Sequence, residues 1–128
     1  MAFVELDRVK LRENFDLLKK HFDEHEVEWG IVTKLLCGNK LFLQEVLNLG
    51  IKQMHDSRIS NLKTVKMLDP TVQTVYIKPP AKRSIKNLVT YADVSLNTEM
   101  ATLRLISEEA QKQNKTHKVV IMIELGDL

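Results

Sequence analysis

A chain of 128 residues with 44% hydrophobic and 28% charged side chains has the size and make-up of one ordinary globular domain with a core, which excludes a disordered segment. Nineteen basic against seventeen acidic residues leave a formal charge of +2, spread along the chain apart from small clusters such as KPPAKR (78–83), so the concentrated basic face of a nucleic-acid binder is not indicated. The single cysteine, Cys37, excludes an internal disulfide and a cysteine-rich zinc site and fits a reducing, cytoplasmic setting. No apolar stretch approaches the roughly 18 residues of a membrane span, and the amino terminus MAFVELDRVKLREN is charged where a signal peptide would be apolar.

Leu6, Val9, Leu11, Phe15, Leu18 and Phe22 recur at spacings of mostly three and four, which predicts a first helix with one buried stripe. The period then changes. Strand-like runs WGIVT (29–33), IKQMHD (51–56), TVYIK (74–78), DVSLN (93–97) and KVVIMIEL (118–125) alternate with amphipathic segments, their centres about 20 to 25 residues apart. That is the length of one strand-plus-helix unit, so an α/β fold built as a βα repeat around a parallel sheet is predicted. Asn39 can cap a helix ending near Gly50. Ser57 or Ser60 can open one that stops before Pro70, and Pro79 and Pro80 interrupt the chain before a helix around Ile85 to Val89. Asn97 or Thr98 can cap the longest helix, running to about Gln113. With short linkers throughout, residues 1–128 read as a single domain.

A complete (β/α)8 barrel takes about 250 residues. Five strands in 128 residues therefore read as the N-terminal half of a TIM-type (β/α)8 barrel, apparently truncated, or as a small doubly wound, flavodoxin-like open sheet complete in itself. In either architecture functional groups gather beyond the C-terminal ends of the strands.

One residue at such an end needs explaining. In GIVTKLLCGN (30–39) a lysine, Lys34, interrupts an apolar run. An ammonium ion in a buried run needs a partner, an exit to solvent or a chemical use. Its stem can pack against the sheet while the ammonium reaches the rim. Alternatively, burial lowers its pKa and leaves an amine able to attack an aldehyde. Cys37 has no histidine and acid at a recognisable spacing and reads as a semi-buried structural thiol.

VTKLLCGN (32–39), LNLGIKQMHDSRISNLKTV (47–65) and YADVSLNTEMATLRLISEEAQKQNKTHKVVIMIELGDL (91–128) together resemble the N-terminal part of the alanine/ornithine racemase family, fold type III pyridoxal-phosphate (PLP) enzymes, and most of all its ornithine racemase branch. The most specific elements are the lysine closing the first strand and the DSR..N and LN[ST]E blocks at later strand ends. The resemblance implies that Lys34 holds PLP as a Schiff base and, once freed, moves the α-proton of an amino-acid substrate on one face. It also implies an opposite-face tyrosine from a C-terminal β-domain of the neighbouring subunit, beyond this sequence; separately, a half barrel leaves two strand edges and a core face uncovered, which predicts a homodimer or swapped assembly.

The second strand closes on His55, Asp56, Ser57 and Arg58. Arg58 can orient a neighbouring group and His55 can border the cofactor ring; Asn97, at the end of the fourth strand, is a cofactor contact or a helix cap. Glu124 and Asp127 can add polar contacts, while Tyr76 and Tyr91 match no family motif and read as packing. Cys37, Gly38 and Asn39 stand where bacterial alanine racemases carry a tyrosine-glycine-histidine segment, so no phosphate contact is expected there. A non-enzymatic PLP-binding homeostasis protein, which shares the barrel and the lysine, and a PLP-free interaction or small-ligand module remain alternatives.

Overall fold

The computed structural model describes residues 3–123 and 125–126. In chain order they form α1 (Arg8–Glu24), β1 (Ile31–Val32), α2 (Lys40–Leu47), β2 (Gln53–Asp56), α3 (Ile59–Leu68), β3 (Gln73–Tyr76), α4 (Ile85–Tyr91), β4 (Val94–Asn97), α5 (Met100–Lys112) and β5 (Lys118–Ile121). Short 3-10 turns follow β1 (Lys34–Leu36) and precede α4 (Lys82–Ser84).

Local chemistry explains several boundaries. Asp7 Oδ1 accepts from the backbone N–H groups of Val9 and Lys10 and opens α1. Asn39 opens α2 as expected, taking the N–H groups of Leu41 and Phe42 on its amide oxygen. Two expected caps are corrected. The residue before α3 is Arg58, not Ser57 or Ser60, and the Arg58 N–H is taken by Asp56 Oδ1 at 2.9 Å. The residue before α5 is Glu99, not Asn97 or Thr98, because the Asn97 side chain is buried against its own strand. β1 is shorter than its apolar run because Thr33, at φ −101° and ψ 9°, turns the chain out of the strand.

All five strands are parallel, in the order β1-β2-β3-β4-β5. Each right-handed crossover adds the next strand on the same side, which puts the connecting helices on one face of the sheet. The doubly wound alternative is thereby corrected, since a flavodoxin-like sheet reverses direction to give 2-1-3-4-5.

Alternation along the strands sorts side chains between the two faces. Met54 packs with Phe15, Leu43, Val46 and Val65, and Tyr76 packs with Leu62, Ile85, Leu88 and Ile106, so these mark the helix-covered face. Tyr76 is core, as expected. Tyr91 lies under the Lys63 ammonium, 5.4 Å from its ring centre. The register places Val32, His55, Val75 and Val94 on the opposite face, away from the helices among the described residues; there Val32 at the β1 edge is 49% exposed, while Val75 and Val94 further in are 6% and 9% exposed. β5 is the other edge, and its Ile121 is 63% exposed. No helix among the described residues is long and apolar enough to cross a membrane.

Candidate active site

At the C-terminal ends of β1 and β2 the chain builds a buried polar clasp. The Thr33 hydroxyl donates to Asp56 Oδ2 at 3.0 Å, and the Asn61 amide donates to the same oxygen at 3.1 Å. With the Arg58 N–H on Oδ1, the carboxylate at the end of β2 accepts once from the end of β1 and twice from the start of α3. Asp56 is 0% exposed, Thr33 1% and Asn61 5%. A carboxylate so deep in the protein is tolerated only when its oxygens are occupied.

Lys34 follows Thr33 and is exposed at the rim. Of the two readings of this lysine, the one in which its ammonium reaches the rim holds and the buried one is corrected: Thr33 turns inward and Lys34 is left at the surface. Its backbone is held nonetheless. The Thr33 N–H continues the ladder to His55 O at 2.8 Å, Leu36 N–H returns to Thr33 O at 2.9 Å, and Cys37 N–H returns to Lys34 O at 3.2 Å. The turn closes through two successive left-handed residues, Cys37 at φ 50° and Gly38 at φ 75°. A β-carbon on Gly38 would stand 2.7 Å from Asn61 Oδ1, so the glycine lets the turn settle on the clasp. Cys37 is exposed, which corrects its reading as a semi-buried thiol.

His55 lies on the face away from the helices, beside β1, its register partner being Val32. Its Nε2 is 3.3 Å from Oε1 of Gln53, and Gly30 leaves the room that the ring occupies. Burial lowers its pKa below the ordinary histidine value, favouring the neutral ring. The Arg58 side chain is exposed. Asn97 does not join this group. Its register partners put it on the helix-covered side, where Nδ2 donates to Ser95 O and to Ser95 Oγ, and its buried Oδ1 has no partner among the described residues. Glu124 and Asp127 lie outside the described residues.

Lys34, His55 and Arg58 thus belong to neighbouring strand ends, and Asn97 belongs to the packing behind the sheet. Thr33, Asp56 and Asn61 were not singled out from sequence. The available signal was the DSR..N block, whose Asp and Asn are the two ends of one hydrogen bond. A groove of about 520 Å³, lined by Phe15, Val27, Trp29 and Ile51 among others, lies at the opposite end, where β1 and β2 begin.

The fold and the strand ends define an α/β chain with a singly wound parallel sheet and an accessible lysine closing its first strand. No protein-family profile matches it. The chain is similar to the ornithine racemase of Acetoanaerobium sticklandii, 33% identical over 125 residues. That alignment takes in 98% of this chain and 35% of the relative's length.

Proposed function

We propose that this chain is the cofactor-anchoring part of a PLP-dependent amino-acid racemase of the ornithine or alanine type, corresponding to the N-terminal half of a (β/α)8 barrel of fold type III. The observation that carries the reading is Lys34, exposed at the C-terminal end of the first strand of a sequentially ordered parallel sheet, in a chain similar to an ornithine racemase. Sequential order with helices on one face is the winding from which such barrels close.

The residues present suit the cofactor. An aldehyde needs a reachable amine, and Lys34 is exposed on a hydrogen-bonded turn. His55 lies at the neighbouring strand, where burial lowers its pKa and favours the neutral imidazole. Lys34 would hold PLP covalently, with His55 and Arg58 bordering it. When bound, PLP supplies an electron-withdrawing ring that stabilises negative charge at the substrate α-carbon. The Lys34 Nζ, when free, takes or returns the α-proton on one face. Inversion needs a second acid or base on the other face, which this reading assigns to residues outside this chain and to a homodimeric assembly.

The test is an absorption spectrum of the purified chain with PLP, followed by borohydride reduction and peptide mass mapping. Reduction that fixes the cofactor on Lys34 in preference to Lys40 and Lys82 is the expected result. Equal labelling of the three lysines would overturn the assignment of Lys34.

A further inference from the structure

We infer that Asp56 is a positioning residue for Lys34, acting through the Thr33 hydroxyl; the inference rests on the reading of Lys34 as the reactive amine. Among the described residues the Lys34 side chain has no hydrogen-bonding partner, so its four-carbon stem starts from a backbone that alone decides where the amine can reach. That backbone is pinned immediately before Lys34 by Thr33 to Asp56 at 3.0 Å and immediately after it by the Leu36 and Cys37 N–H groups. Asp56 in turn is fixed to α3 by Asn61 and by the Arg58 N–H. The clasp therefore ties the lysine turn to the rigid helix layer behind the sheet.

The alternative is that Asp56 serves only to start α3. For that purpose the Arg58 N–H and Asn61 suffice; the third bond comes from a fully buried threonine on the neighbouring strand, whose hydroxyl also lies 3.2 Å from His55 O, so it adds a tie between β1 and β2 that starting α3 does not need. A hydroxyl there carries a desolvation cost that valine, of the same shape, avoids. What it supplies is registry of the residue before Lys34, and reactive groups misplaced by about 1 Å lose on the order of 100-fold in rate.

The decisive variants are Thr33→Val, which keeps shape and removes the hydroxyl, and Thr33→Ser, which restores it. Folding is checked by circular dichroism, and Thr33→Ala replaces Thr33→Val if the latter does not fold. Two readouts are taken. The first is PLP labelling of Lys34 relative to Lys82 after borohydride, expected to fall about tenfold in Thr33→Val, the worth of one hydrogen bond, and to recover in Thr33→Ser. The second needs no PLP. Lysines are reductively methylated with ¹³C-formaldehyde, and the dimethyl-Lys34 signal and the amide signals of residues 34–37 are expected to shift in Thr33→Val and return in Thr33→Ser. If the unaltered chain shows no PLP preference for Lys34, the functional reading fails while the second readout still decides the positioning. A folded Thr33→Val with both readouts unchanged would overturn it.

Discussion

A β-carbon on Gly30 would stand 2.5 Å from Nε2 of His55 and 2.8 Å from Cβ of Gln53. The histidine occupies the space of a missing side chain just before the neighbouring strand β1. Gly30→Ala is therefore expected to cost about 1–3 kcal/mol, the usual range for forcing a methyl into occupied space. The ring, driven from its niche, gains solvent, and its pKa is expected to rise toward the ordinary value. Thermal unfolding and an NMR titration of His55 check the two effects together.

Gly38 and Gly50 offer a paired comparison. Both have positive φ, at 75° and 83°, yet a β-carbon on Gly38 would meet Asn61 Oδ1 at 2.7 Å whereas one on Gly50 would meet nothing within 4 Å. Alanine at Gly50 should cost only the left-handed backbone penalty, about 1 kcal/mol. Alanine at Gly38 adds displacement of the clasp and is expected to cost about 1–2 kcal/mol more. Denaturant titration of the two variants gives the difference directly.

These pairs show which parts of the architecture the sequence discloses. Asn39 was readable because a cap acts over two or three residues, and Lys34 because a charge inside an apolar run is a local anomaly. The clasp was not, since Thr33 and Asp56 meet only after β1 and β2 pair in one particular register. The same dependence hid the direction of Asn97, which a one-residue shift of register would turn to the other face. Strand spacing likewise predicts βα units of equal length for a singly or doubly wound sheet, so only the pairing order separates them. Thr33 turning inward, and hence Lys34 outward, follows from a hydrogen bond across 23 residues, beyond the reach of periodicity.

Two histidines set a pH dependence of stability. Burial lowers the pKa of His55. His117, whose Nε2 lies 2.8 Å from Ser95 Oγ, is also lowered by burial, a shift that Lys115 reinforces and that the Ala92 carbonyl and Asp93 oppose without reversing it. At pH 8 neither folded nor unfolded histidine carries a proton, so the shifts contribute nothing there. As pH falls below about 6.5 the unfolded chain takes up protons first, and stability is lost through the window down to the folded values. Urea titrations from pH 8 to pH 5 should show this loss, and His55→Gln or His117→Gln should each reduce its slope.

The acidic limb has a different origin. Burial alone would raise the pKa of Asp93, but its bonds to Lys66 at 2.7 Å and to the Thr74 N–H and hydroxyl outweigh that and hold it below the ordinary carboxylate value. A lowered folded pKa means that this stabilisation is complete above about pH 4 and disappears as pH falls through the folded value. Asp93→Asn is expected to lower the melting temperature at pH 7 and to have a smaller effect at pH 2. Melting curves at the two pH values check it, and equal losses would assign the role to packing.

The β5 edge carries the last prediction. Its backbone groups on the outer side pair with no further strand among the described residues, and Val119, Ile121 and Ile123 expose 42%, 63% and 77% of their surface beside it. An open parallel edge flanked by apolar side chains is a template for pairing with another chain. The isolated 128-residue chain is therefore expected to self-associate at micromolar concentration, with a mass by light scattering of at least twice 14.8 kDa. Ile121→Lys places a charge on that edge without touching Lys34 or the clasp, and it should shift the distribution toward monomer while leaving the circular dichroism spectrum unchanged. A monomeric peak for the unaltered chain would show that the edge is protected by its own side chains, and the homodimer would then have to be built on another surface.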